Sequence, residues 1–282
     1  MLLGFNMLLW TGHVTAEHFP IFADLKRAGY DGVELPLFEG TPEHFGAVGR
    51  ALRDHGLRAT GVTVMPDAAH DCLSSDPAVR AGALKHITWA IDCISAAGGE
   101  TLAGPFHQPL GVFSGNPPTA EERGNIVSVH KLAAAHAATR NIKLSVEPLN
   151  RFECYVLNTV ADAAAIVRAV NLPGYGLLYD TFHCNIEEKD PTGVIAPNLP
   201  YINHVHFSEN DRGTPGKGHV PWAATMKALK HGGYSGWCSI EAFGRALPAL
   251  AAATRVWRDF FPNREEVYRS GHDFLREQWA KA

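Results

Sequence analysis

The sequence predicts a closed (β/α)8 barrel of the α/β class, the TIM-barrel architecture, with additional C-terminal helical segments and one domain spanning residues 1–282. Three observations carry this expectation. Eight short apolar runs recur along the chain, the starts of successive runs lie 26 to 42 residues apart, and several of the gaps open with helix-capping residues. A gap of that length holds one helix and two loops, which is the βα repeat. Strands alternating with helices imply a parallel sheet, and eight units without a linker favour closure over a doubly wound open sheet.

The elements follow in order. The runs are Leu2–Leu8, Gly32–Phe38, Arg58–Val64, Glu100–Phe106, Ile142–Pro148, Gly174–Asp180, Ile202–Phe207 and Gly236–Phe243. The first is apolar but has no basic segment before it, and Asn6, His13, Glu17 and His18 interrupt or follow it, so it reads as a buried strand and not a signal peptide. Thr41-Pro42-Glu43 opens a helix with a cap, a proline at the first turn and an acidic residue; Phe45, Val48 and Leu52 form its apolar stripe and Gly56 stops it. Ser75-Asp76-Pro77 opens the next, with Ile87, Ile91 and Ile94 on one stripe before Gly98. Thr119 and Glu122 make a capping-box pattern ahead of Ile126, Val129 and Leu132, and Thr159 with Asp162 repeats it ahead of Ile166 and Val170. Residues 245–282 exceed one helix. Two irregular stretches, Pro66–Ser75 and Ser208–Pro221, follow strands and so lie over the active face of a barrel.

Composition narrows the function. Lys and Arg number 25 against 29 Asp and Glu, a net charge of −4, which disfavours a nucleic-acid partner. No run approaches the roughly 18 apolar residues of a membrane span. Five cysteines without a CxxC pair read as reduced thiols of a cytoplasmic protein. Fifteen histidines raise the prospect of metal or proton chemistry without locating it.

Location comes from the last four strands. They end on Glu147, Asp180, His206 and Glu241, separated by 33, 26 and 35 positions. Strand C-termini of a barrel converge on one face. A single carboxylate at a strand end is ordinarily a helix cap or a loop ion pair. Four polar residues ending four consecutive strands are harder to explain that way, and three clustered carboxylates raise one another's pKa unless a cation offsets them. Three oxygen donors and one imidazole suit Mn²⁺, with Mg²⁺, Co²⁺ and Zn²⁺ compatible.

The segments Glu147-Pro-Leu-Asn-Arg-Phe-Glu153, Asp180-Thr-Phe-His-Cys-Asn-Ile-Glu-Glu188, His204-Val-His206-Phe-Ser-Glu-Asn-Asp-Arg212, Gly216-Lys-Gly-His-Val-Pro-Trp222 and Ile240-Glu-Ala-Phe243 resemble the signatures of the ketose 3-epimerases, in the xylose-isomerase-like barrel superfamily. That family includes D-tagatose, D-psicose and L-ribulose 3-epimerases. The resemblance implies that Glu147, Asp180, His206 and Glu241 hold a metal, usually Mn²⁺ or Co²⁺. It implies that Glu147 and Glu241 are the paired acid/base carboxylates, that Glu153, His183 and Arg212 touch substrate, and that the protein is a dimer or tetramer.

That set suits inversion beside a ketone, where one base removes a proton and a second acid returns one to the opposite face of an enediolate. A divalent cation stabilises the charge that develops. His183 reads as a donor to a substrate oxygen, or as a surface or capping residue. Arg212 reads as a ligand of sugar hydroxyls or of the Glu153 carboxylate, or as a solvated loop residue, and Glu153 as a hydroxyl ligand or a partner of Arg151. Trp10, Phe106 and Trp222 sit near strand ends where a ring could stack on a sugar; Phe38 reads as core. Glu34, a charge inside an apolar strand, faces the barrel interior as a structural or supporting residue. The expected reaction is metal-dependent epimerisation at carbon 3 of a free ketose. An aldose–ketose isomerase of the same superfamily is the alternative. An abasic-site nuclease requires more metal ligands and a basic groove, and a mere sugar binder does not need two facing bases.

Overall fold

The computed structural model describes residues 1–282. The eight strands are β1 (Leu2–Asn6), β2 (Gly32–Pro36), β3 (Arg58–Val62), β4 (Thr101–Gly104), β5 (Lys143–Val146), β6 (Tyr175–Asp180), β7 (Ile202–Phe207) and β8 (Trp237–Ile240). All pair in parallel with their sequence neighbours, and β8 closes the barrel on β1 through Leu2–Trp237 to Phe5–Ile240. Each lies within one of the eight apolar runs. Such strands are buried on both faces, by the barrel interior and by the helices outside, which is why they read as nearly continuous apolar runs.

The helices are α1 (Phe19–Ala28), α2 (Pro42–Asp54), α3 (Pro77–Ala96), α4 (Ala120–Thr139), α5 (Val160–Val170), α6 (Thr181–Glu187), α7 (Ile195–Asn198), α8 (Trp222–His231), α9 (Pro248–Ala253) and α10 (Arg264–Lys281). The capping residues do what their chemistry predicts. Thr41 and Asp76 accept from the amides of His44 and Ala78, while Thr119–Glu122 and Thr159–Asp162 form reciprocal capping boxes. Phe45, Val48, Leu52, Ile87, Ile91 and Ile94 are all buried. Leu132 is not: it is 60% exposed, and the buried stripe of α4 runs instead through Ile126, Val129, His130, Ala133 and Ala137. Small alanines let α4 approach its neighbours, so the larger leucine is left on the outer face.

Helix α10 packs against α8 and α1 as the eighth helix of the ring, and α9 is an additional segment in the connection from β8. The connection from β4 to α4, residues 105–119, is a further long irregular stretch beside Pro66–Ser75 and Ser208–Pro221. The five cysteines are free and buried, and no helix is long and apolar enough to cross a membrane.

One polar cluster lies outside the barrel wall. His130 on α4 contacts the Tyr175 hydroxyl at 2.5 Å, and His107 has no partner for either ring nitrogen. Burial pushes His107 down to about 3 and His130 down to about 4. Both are neutral when folded, and the unfolded chain takes up their protons below about pH 6.5. Stability is therefore complete above that pH and falls as pH drops toward 4, by about 1.4 kcal/mol per pH unit for each ring. Urea denaturation at several pH values measures the slope. His107→Leu should flatten it by about one proton, and an unchanged slope refutes the assignment.

Candidate active site and cation centre

The four strand-end residues meet at the C-terminal mouth of the barrel. Glu147 follows β5 directly and continues its ladder, its amide donating to the Gly104 carbonyl at 3.0 Å. Glu241 follows β8 in the same way, bonded to the Phe207 carbonyl. Asp180 ends β6 and caps α6 by accepting from the Phe182 amide. His206 reaches the same place because the pairing of β6 with β7 slips by one residue after Leu177, which sets Asp180 beside His206. Such a bulge re-aims side chains at a site. One ligand atom from each of Glu147, Asp180, His206 and Glu241 lies within 4.8 Å of the others, and all four residues are buried.

Three buried carboxylates share this space, and a guanidinium and an imidazole face them. Arg212 Nη1 donates to Glu241 Oε2 at 2.6 Å and to Asp180 Oδ2 at 3.1 Å. The His206 ring lies with Nδ1 3.4 Å from Glu241 Oε1 and 3.9 Å from Glu147 Oε1. The carboxylates divide accordingly. Burial pushes the Glu147 carboxyl well above the usual range, and Glu241 and Asp180 add to this against the pull of His206. Burial also raises Asp180, to about 6, with Glu241 adding and Arg212 opposing. Burial acts the same way on Glu241, but His206 and Arg212 outweigh it and hold this carboxyl below its usual value. The surroundings thus push the two in opposite directions, Glu147 toward its neutral form and Glu241 toward its ionised form.

The donor set fits a divalent cation. His206 Nδ1 is buried, has no hydrogen-bond partner and faces the carboxylates. Hard oxygen donors with one imidazole match Mn²⁺, Co²⁺ or Mg²⁺.

The three other expected site residues also gather here. His183 lies in the first turn of α6 and is buried, rather than on a loop. Its Nδ1 accepts from the Asn150 amide at 3.0 Å, so the ring proton sits on Nε2. That nitrogen is 3.0 Å from Arg212 Nη2. Two N–H donors cannot bond each other, but both can donate to one oxygen placed before them. Arg212 is 3% exposed, so the solvated alternative fails, and its partners are Asp180 and Glu241 rather than Glu153. Its guanidinium stacks 3.8 Å from the Phe182 ring centre. Glu153 accepts from Asn150 Nδ2 at 2.8 Å, while Arg151 pairs with Glu187.

The loop that carries Arg212 is built around another buried carboxylate, Glu209. It accepts from the amides of Asn210, Gly216 and Val220 and from the Trp222 indole. The Glu209 carbonyl in turn takes the Arg212 amide, and Arg212 adopts a left-handed φ of 65°. Sequence reading missed Glu209, although a carboxylate two residues past a strand end beside a Gly-rich loop is a visible signal.

A cavity of about 440 Å³ of empty space opens above the cluster. Glu147, Glu153, His183, Arg212 and Glu241 line one side; Leu8, Phe38, Val62, Pro105 and Leu250 line the other. The aromatic expectations reverse. Phe38 lines the cavity together with Phe243, whereas Trp10 packs on Phe5 and Tyr268, Phe106 on His130, and Trp222 on Phe207 and Phe274.

A closed parallel barrel whose strand ends gather three carboxylates, an imidazole and a guanidinium around one cavity has the architecture of a barrel enzyme with a candidate cation centre. The family model described as xylose isomerase-like TIM barrel matches residues 22–278. A probable ketose 3-epimerase of Synechocystis sp. is 33% identical over 98% of this chain and 96% of its own length. The ketose 3-epimerase of Arthrobacter globiformis is 32% identical over 99% and 96%. The D-allulose 3-epimerase of Methylomonas sp., solved in complex with D-allulose, superposes with a TM-score of 0.92 at 30% identity, covering 99% of this chain and 97% of that one. The chain belongs to the xylose isomerase-like TIM barrel family and, within it, to the ketose 3-epimerases.

Proposed function

We propose that this chain, as a single barrel domain, inverts carbon 3 of a free ketose of the L-ribulose, D-tagatose or D-psicose/D-fructose class, with Glu147 and Glu241 as the paired acid and base. The observation that carries this is the pair itself. Two carboxylates reach one cavity from β5 and from β8, and their surroundings favour the neutral form of Glu147 and the ionised form of Glu241. The ionised member removes the C3 proton and the protonated member delivers one to the other face; the roles exchange when the reaction runs backward. His183 Nε2–H and the Arg212 guanidinium direct their donors at a ketose oxygen, and Glu153 accepts from a terminal hydroxyl. Phe38 and the apolar wall exclude water from the far side. A divalent cation held by Glu147, Asp180, His206 and Glu241, Mn²⁺ by the donor set, would supply positive charge beside the oxygens that become negative.

The names of the relatives support a ketose substrate. Free buried thiols support a reducing, cytoplasmic setting. The family resemblance supports a dimer or tetramer.

Incubation with L-ribulose, D-tagatose and D-fructose in D₂O, followed by NMR, tests the reaction. The expected product is the C3 epimer with deuterium at C3. An aldose product would assign the chain to aldose–ketose isomerisation instead.

A further inference from the structure

Glu34 lies on β2, outside the four-residue cluster, and has no exposed surface. Its carboxylate accepts from side chains on four other strands. Oε2 takes Asn6 Nδ2 at 3.0 Å and His206 Nε2 at 2.7 Å. Oε1 takes His204 Nε2 at 2.6 Å, Thr60 Oγ1 at 3.1 Å and Ser239 Oγ at 3.1 Å.

A carboxylate only accepts hydrogen bonds, so both imidazoles carry a proton on Nε2. For His206 that choice has a consequence. The proton toward Glu34 leaves Nδ1, the atom that faces Glu147 and Glu241, as the one to carry a free lone pair toward a cation. Asn6 extends the arrangement. The same Nδ2 that bonds Glu34 is 3.3 Å from Glu241 Oε1, and the Asn6 Oδ1 is fixed by the Leu8 amide. Glu34 thus touches one member of the cluster directly and a second through one side chain.

A purely structural role explains this poorly. Burying a charged group is seldom more stabilising than an apolar layer of equal volume, and barrel interiors are ordinarily apolar.

We propose that Glu34 is a positioning residue for cation binding, which fixes the metal-facing nitrogen of His206 and, through Asn6, the placement of Glu241. This rests on the reading of the cluster as a cation centre.

The test titrates metal-free protein with MnCl₂, following heat by calorimetry and free Mn²⁺ by electron paramagnetic resonance. Glu34→Gln keeps the side-chain shape but turns one acceptor into a donor aimed at an N–H. The expected result is an affinity about 10- to 100-fold weaker than wild type. A structural role alone would lower the melting temperature and leave the affinity of the folded protein unchanged, and that outcome overturns the proposal. Wild-type protein that binds no Mn²⁺ overturns the cation centre itself, a distinguishable failure. If the variant does not fold, ¹⁵N NMR of wild-type imidazoles with diamagnetic Mg²⁺ decides. His206 protonated on Nε2 supports the assignment, and a proton on Nδ1 overturns it.

Discussion

Replacing Glu147 or Glu241 by Gln lowers epimerisation by at least about 10²- to 10⁴-fold, the range of a lost general acid or base. Gln keeps the shape and the hydrogen-bonding reach of either side chain but neither gives nor takes the proton. The loss should fall on kcat, because the proposed sugar ligands His183, Arg212 and Glu153 are unchanged. Each substitution also weakens a candidate cation ligand, so rates are compared at saturating Mn²⁺. Stability supplies the control. Glu147 is the carboxyl that burial and its acidic neighbours drive toward the neutral form, and a neutral amide meets the same surroundings without like-charge repulsion. Metal-free Glu147→Gln should therefore melt at or above the wild-type temperature. Near-normal turnover in either variant rejects the two-base assignment.

Chelation should abolish activity, and Mn²⁺ or Co²⁺ should restore it. The cluster places three carboxylates within one ion's reach, answered without the ion only by Arg212 and His206. Binding a cation to the native state alone stabilises it by about 2.7 kcal/mol at a concentration a hundredfold above Kd. For a chain of this size that raises Tm by roughly 5–10 °C. Differential scanning calorimetry with and without MnCl₂ measures the shift, and assays of protein stripped by chelator measure the activity. Full turnover in protein verified free of metal would remove the cation from the reaction.

Much of this was legible in the chain. Strands buried on both faces leave unbroken apolar runs, and a polar residue ending such a run stands out, as Glu147, Asp180, His206 and Glu241 do. Helix caps were legible because they depend on local chemistry. Residues that act through distant partners were not. Asn6, Thr60 and Ser239 are small polar groups on separate strands; the register of β1, β2 and β3 brings the first two to Glu34, and barrel closure brings the third. Asn150 is one polar loop residue among many until α6 places His183 against it. Arg212 read as a loop cation because its burial depends on Glu209 folding the loop inward through the amides of Gly216 and Val220. Phe38 and Trp222 exchanged their expected surroundings because lining and packing positions differ by angle, not by residue type.

The slip between β6 and β7 constrains how this scaffold can be rebuilt. Consecutive strand residues point to opposite sides, and without the slip the Leu177–Ile202 register would continue to Asp180 beside Val205, which would set an isopropyl group where the imidazole now stands. Grafts, circular permutants and loop exchanges that preserve every functional residue yet alter that spacing by one would yield a folded barrel with no chemistry.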